Sequence, residues 1–247
     1  MISINAEPNR MSDMILKGLM NSAFDVTKAY VTEAGIKTTV SKGGTMGALC
    51  HFNSHYFKKF ETDEEIQVLL TKDLHKGLAE NKFSGEDSID LTIDVPNGKF
   101  LLKSPNVRWS PKISNETMQE VAFPMELVPG IGYLPKDPRP DRQPECQIKI
   151  ADDSVIAPQV DKVIFEIAGG KVQLKYEYGG GPAERDIVPK DNRKVDIDKS
   201  YTLSRQYLTP ILANFSGDLW LTFYQKGVFF TQVNSDFSLT YYLGTTV

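Results

Sequence analysis

One supersecondary pattern is written twice in this chain. Leu78-Ala79-Glu80-Asn81-Lys82-Phe83-Ser84-Gly85 leads into the alternating run Ile89-Asp90-Leu91-Thr92-Ile93. Far downstream, Leu212-Ala213-Asn214-Phe215-Ser216-Gly217 leads into Leu219-Trp220-Leu221-Thr222-Phe223. Two distant copies of one helix-to-strand unit point to an internally duplicated fold, which limits the architecture more than any single residue does. A chain of 247 residues has room for one large domain or two smaller ones, and the duplication favours two.

The duplication extends to a looser four-fold pattern. Residues 9–23 carry Met11, Met14, Ile15, Gly18, Leu19 and Ala23 at helical spacing. A strand, a turn at Glu33-Ala34-Gly35 and a second strand over 36–40 follow. The second unit places a helix over 71–81 with Thr71 as N-cap, then strands over 89–93 and 99–103 around Pro96-Asn97-Gly98. The third has only a stub at 152–158, where Pro158 opposes a helix, before strands 163–167 and 172–176 around Gly169-Gly170. In the fourth, Leu203, Tyr207, Leu208, Ile211 and Leu212 mark a helical stripe that Pro210 should kink or shift. Strands over 219–224 and 228–233, joined at Gln225-Lys226-Gly227, and a last strand over 237–243 complete it.

Residues 123–144 contain six prolines and read as an extended connector between domains 1–122 and 145–247. Val128, Ile131, Tyr133 and Leu134 within it are apolar for a passive linker, so they pack on the body or help form a docking surface; packing is the first expectation.

A net charge of −4 gives no global sign of a nucleic-acid binder, although a local basic stripe escapes such a sum. No apolar run reaches membrane-span length, and the N-terminus lacks a signal-peptide pattern. Two cysteines argue against a disulfide framework and for a reducing compartment such as cytoplasm. Cys50-His51 with His55 offers metal-ligand types, but a fourth ligand is missing nearby and the segment alternates like a strand. Gly179-Gly180-Gly181-Pro182 lacks the lysine of a phosphate loop and reads as a hairpin turn or flexible loop. Three histidines, two of them close together, leave little for a nucleophile–base pair, so neither an active site nor a cofactor is expected.

The order helix, hairpin, strands, repeated twice per domain, resembles the DNA sliding clamps of the proliferating-cell-nuclear-antigen type. Tyr201-Thr202-Leu203 with Gln206-Tyr207-Leu208 is similar to the start of that family's last helix. Leu239-Thr240-Tyr241-Tyr242-Leu243 is similar to its closing strand, and residues 70–78 to its second helix. The near-deleted third helix, the ending Gly244-Thr245-Thr246-Val247 and the long segment 106–119 with Arg108-Trp109-Ser110-Pro111 depart from the pattern. Together they suggest a divergent archaeal or viral member.

The resemblance implies an α+β fold of two tandem clamp domains, with antiparallel sheets outside and helices inside a homotrimeric ring. Arg10, Lys17, Lys72, Lys76, Lys82 and Arg205 would face duplex DNA. DNA polymerase, clamp loader and other peptide-motif proteins would dock near Val40, Thr45, Met46, Ala48, Val128, Ile131, Leu134, Gly227, Tyr242 and Gly244. Subunits would pair through 120–127 (Glu120, Val121, Phe123, Met125) and 172–178 (Val172, Leu174, Tyr176). The alternatives are one subunit of a heteromeric clamp, a β-rich viral structural or assembly protein without a DNA role, or an enzyme with an unrecognised site.

Overall fold

The computed structural model describes residues 2–63, 65–78, 83, 85–94, 97, 99–111, 125–136, 143–151, 162–178, 181–193 and 197–245. They gather into two compact units. Unit 1 comprises Met1–Val40, Ala48–Ala122 and Asn234–Ser238; unit 2 comprises Ser41–Gly47, Phe123–Val233 and Leu239–Val247.

Unit 1 runs β1 (Ile2–Ala6), α1 (Pro8–Gly18), β2 (Val26–Thr32), β3 (Gly35–Lys42), β4 (Met46–Asn53), a single 3-10 turn at Ser54–Tyr56, β5 (Lys59–Thr62), β6 (Ile66–Thr71), α2 (Lys72–Gly77), β7 (Ile89–Asp94), β8 (Lys99–Lys103) and β9 (Arg108–Trp109). One antiparallel sheet has the order β5-β1-β7-β8-β9; a second set of strands is ordered β4-β3-β2-β6. Alternation decides which side is wet: Ile89, Leu91 and Ile93 of β7 point into the core, while Asp90, Thr92 and Asp94 point away. Pro8 at the first position suits α1, because the amide it lacks would have had no intrahelical acceptor. The spacing predicts that this helix continues to 23. It stops at Gly18, because Met20, Asn21 and Ser22 turn left-handed (φ 52°, 51° and 66°) and the Asn21 amide reaches back to the Leu16 carbonyl at 2.8 Å. Thr71 caps α2 as the sequence predicts, its hydroxyl accepting from the Leu74 amide at 3.2 Å.

Unit 2 contains β10 (Met125–Val128), β11 (Gly132–Pro135), β12 (Cys146–Ala151), β13 (Lys162–Ala168), β14 (Lys171–Tyr178), β15 (Gly181–Ile187), β16 (Asp191–Arg193), β17 (Lys199–Ser204), α3 (Arg205–Leu212), β18 (Asp218–Tyr224), β19 (Gly227–Val233) and β20 (Phe237–Gly244). One sheet has the order β15-β14-β13-β17, and another set of strands runs β16-β12-β18-β19-β20. The two pack face to face through aromatic rings, with Phe223 5.7 Å from Phe165 and 4.8 Å from Tyr201. Strand-helix-strand recurs: β6-α2-β7 in unit 1 and β17-α3-β18 in unit 2, the echo that the sequence carries.

Three expectations change. Leu203 is buried on strand β17, not on a helical stripe; α3 begins at Arg205, with Pro210 inside it. Pro210, the sixth of its eight residues, removes the amide that would bond the Gln206 carbonyl. Residues 123–144 are not simply extended: β10 and β11 pair from Met125↔Pro135 to Val128↔Gly132 around a turn closed by the Ile131 amide on the Val128 carbonyl at 3.0 Å. Pro129 sets the first turn angle and Gly130, at φ 73°, supplies the second, a type II arrangement. Finally, β14 is no sheet edge, being paired with β13 on one side and β15 on the other. The predicted stub over 152–158 lies outside the described residues, as do Lys82, Glu120, Val121 and Phe123.

Candidate functional site

In unit 2, β18 turns Phe223 towards Phe165 and Tyr201, while Trp220 of β18, Phe229 of β19 and Thr240 of β20 meet the β10–β11 hairpin. On the hairpin side cross-strand register places Thr222 beside Phe229, Trp220 beside Thr231 and Tyr224 beside Gly227. The hairpin lies over these residues. Ile131 and Leu134 are buried against Trp220, with Val128 and Phe229 packed at the margin. The Thr240 hydroxyl donates to the Tyr133 carbonyl at 3.2 Å. A side chain at position 132 would crowd Thr231 at 3.0 Å, so glycine there permits the close approach.

Aromatic rings extend the surface from the hairpin to the chain's last strand. Phe229 lies 5.2 Å from Tyr224 and 4.8 Å from Tyr242. The Tyr242 hydroxyl donates to the Lys226 carbonyl at 3.2 Å, and the Gly244 amide donates to the Thr45 carbonyl at 2.7 Å. Gly227 is obligatory: a Cβ there would stand 2.5 Å from the Tyr242 ring and 2.6 Å from the Leu243 carbonyl. Burial pushes the Tyr133 and Tyr242 phenols above their usual range; it pushes Tyr224 further, with nearby Glu126 adding to the effect. On the flank the Arg193 guanidinium stands 5.3 Å over the Trp220 ring.

The structure thus brings Thr45, Gly227, Tyr242 and Gly244 to one end of this surface, and Val128, Ile131 and Leu134 to the other. Ile131 and Leu134 are already filled in, 1% and 3% exposed, and do not stand open as pocket walls. Met46 is buried in β4; Val40 and Ala48 belong to unit 1, on β3 and β4. Sequence reasoning missed Trp220, Tyr224 and Phe229. Their alternation with Gly227 along β18 and β19 was the available signal.

The six candidate DNA-facing cations divide. Arg10 on α1 donates to the Tyr56 carbonyl at 2.7 Å, stands 5.1 Å over the Tyr56 ring and pairs with Asp236 at 3.7 Å. Lys17 is mostly buried, bonded to Asp13 at 2.5 Å and placed 5.6 Å over Phe237. Lys72 pairs with Asp25 at 3.1 Å. Lys76 is exposed on α2, and Arg205 is half-buried at the start of α3. Lys17 is therefore a packing residue rather than a solvent-facing contact. α1 and α2 pack together, with the Ser12 hydroxyl 3.1 Å from His75 Nδ1, and burial lowers the His75 pKa.

Of the expected subunit edge, Val172 and Leu174 point into the core at 1% and 0% exposure, Tyr176 is half-buried, and Met125 pairs with Pro135 inside the hairpin. The outer strand beside β14 is β15, in register from Val172↔Ile187 to Tyr178↔Gly181. Its charged sequence hides it from a hydrophobic-pattern reading.

Among the described residues no group of three or more His, Cys, Asp and Glu is placed to hold a metal, and Cys50 is buried with its Sγ 3.6 Å from the Lys17 carbonyl. No described helix is long and apolar enough to cross a membrane.

No protein-family model and no curated protein sequence matches the chain. Its fold does match solved structures. One is the A. fulgidus PCNA with the C-terminal region of FEN-1 bound, at TM-score 0.75 and 12% identity over 100% of this chain and 99% of that one. A second is PCNA from Entamoeba histolytica, at 0.73 and 11% over 100% and 99%. A third is the PCNA2–PCNA3 complex from Sulfolobus tokodaii, at 0.71 and 12% over 98% of both chains. The chain has the fold of the PCNA-type sliding clamps along its whole length.

Proposed function

We propose that this protein is a DNA sliding clamp, a processivity factor without an active site. Three copies, each read as domains 1–122 and 145–247 joined by 123–144, close into a ring around duplex DNA and tether polymerase, clamp loader and other peptide-motif proteins. The full-length likeness of fold, at TM-scores of 0.71 to 0.75, carries the reading. The aromatic surface over Phe229 and Tyr242 supports a peptide-docking role, since extended peptides anchor on apolar ground beside strands. Subunit pairing runs through a free strand edge, with β15 replacing the predicted 172–178. The working site is inside the cell where DNA is replicated: cytoplasm, or nucleus in a eukaryote.

Two measurements test this. Light scattering is expected to give three times the 27.7 kDa chain mass. Protein loaded on closed circular duplex should stay bound in high salt and be lost when the circle is cut, because enclosure rather than affinity retains it. A monomer at micromolar concentration, with equal loss from both DNA forms, overturns the reading. A second reading, one subunit of a heteromeric clamp, is favoured by the likeness to the PCNA2–PCNA3 complex. It predicts a monomer alone and a ring only with sister subunits.

A further inference from the structure

The motif Arg108-Trp109-Ser110-Pro111 has no part in the function as proposed so far, and the structure gives its tryptophan one. Helix α2 has only six residues, Lys72–Gly77. A helix this short does not hold its own shape in water, since isolated helices below roughly 12–15 residues are marginal. Its direction therefore depends on what it packs against. Thr71 caps it, Leu74 is buried beneath it, and Ser12 of α1 meets His75.

At its C-terminal end the contact is with Trp109. A Cβ added to Gly77 would lie 2.0, 2.4 and 2.5 Å from three carbons of the Trp109 six-membered ring. The indole thus lies directly against the helix backbone, a contact that only glycine admits. Gly77 is the last residue of the helix, and the absence of a side chain there is what lets the indole of Trp109 approach the backbone. Trp109 is itself well fixed. It pairs with Leu102 of β8, which is fully buried, while the next residue's hydroxyl, Ser110 Oγ, donates to the Phe100 carbonyl at 2.8 Å.

The residue preceding Gly77 is Lys76, the exposed cation of α2, whereas Lys72 on the same helix is paired with Asp25. We propose that Trp109 is a positioning residue that fixes α2 through Gly77 and so aims Lys76 at the DNA backbone. This rests on the clamp reading above. Trp109 touches no nucleic acid; it acts through the helix.

The test is binding of a short fluorescent duplex at low salt, read as the slope of log K against log salt, in wild type, Lys76→Ala, Trp109→Ala, Trp109→Phe and the double variant Lys76→Ala/Trp109→Ala. One lost phosphate contact lowers that slope by about 0.9. Lys76→Ala and Trp109→Ala are each expected to lower it by about that amount, the double variant no further, and Trp109→Phe to keep most of it. Far-UV circular dichroism and thermal melting of each variant identify any that fail to fold; if Trp109→Ala is one, Trp109→Leu, which keeps an apolar side chain but not the flat ring against Gly77, takes its place with the same expected loss of slope, and a retained slope there overturns the positioning role. If wild type binds duplex but Trp109→Ala keeps the full slope, or the two losses add, the positioning role is wrong and the clamp reading stands. If wild type shows no salt-dependent binding of the short duplex yet is retained on closed circular DNA, the positioning role is wrong and the clamp reading stands; if it shows neither, both fall.

Discussion

Replacing Leu134 by alanine distinguishes a packed hairpin from a passive connector. Leu134 is 3% exposed and shares its cluster with Ile131 and Trp220, with Val128 and Phe229 at the edge. Buried Leu→Ala changes cost about 2–5 kcal/mol, depending on how far the surroundings collapse into the space. A cluster of three fully buried side chains can collapse from its open margin, which puts the expected cost near the lower end, about 2–3 kcal/mol. That is about a 30- to 150-fold shift in the opening equilibrium of the hairpin. Native-state hydrogen exchange on the amides of 125–135 reads this directly, and urea unfolding reads any global share. Leu127 is the internal control: it lies on the same hairpin but is 54% exposed, so Leu127→Ala should stay within about 0.5 kcal/mol. Equal, small effects at both positions would show that the apolar residues of 123–144 do not pack on the sheet.

Gly227→Ala drives a methyl into the Tyr242 ring and the Leu243 carbonyl, and should cost about 1–3 kcal/mol in urea unfolding; a neutral result would mean that Tyr242 has room to move. Ser22→Gly relieves a left-handed residue at φ 66° and should raise the urea midpoint by an equivalent of roughly 0.5–1 kcal/mol, a fall refuting the strain argument. Burial pushes the Cys146 thiol from 9.0 up to about 12; burial first, then the bond to Glu145, pushes the Tyr201 phenol higher still. Both protons are held more tightly in the fold than in the unfolded chain, so their stabilisation is complete below pH 9 and is lost as pH rises from there towards 12. Urea midpoints at pH 8, 9.5 and 11 should fall, and fall less in Cys146→Ala and Tyr201→Phe; a flat profile in the parent protein refutes this. Asp25→Asn releases Lys72 from its partner and should steepen the salt dependence of duplex binding by up to about 0.9, an unchanged slope placing Lys72 away from DNA.

Turn chemistry made much of the fold legible. Glu33-Ala34-Gly35, Gly169-Gly170 and Gln225-Lys226-Gly227 each sit between the strands they predict, because those backbone angles favour few residues. The same logic, applied to Val128-Pro129-Gly130-Ile131, would have revealed the β10–β11 hairpin; six prolines nearby made composition outweigh a local signal. Strand β15 was hidden for another reason. Ala183-Glu184-Arg185-Asp186 carries the charges of a solvated edge, and only the register with β14 turns it into a strand. The end of α1 is not legible in the sequence because Leu19 and Met20, both buried, continue the apolar rhythm after the backbone has left the helix. The aromatic surface needed pairing information: Phe229 meets Tyr242 and Tyr224 through three strands that hydropathy treats one at a time.

Charge on the helices shows where counting residues stops being informative. Helical spacing puts Arg10 and Lys17 on α1, yet Asp13 stands one turn before Lys17, a pairing readable from sequence as an i, i+4 contact. Arg10 needed the fold, because its partners Tyr56 and Asp236 come from distant segments. Each such pair neutralises a cation that would otherwise attract phosphate, and a phosphate must displace a carboxylate before it gains anything. Under the clamp reading this is a workable arrangement, since a closed ring stays on DNA without affinity, and tight phosphate contacts would slow its travel. The few cations left for the duplex then matter through direction rather than number. That shifts attention from the charged residues to those that hold their helices in place, Trp109 and Gly77 first among them.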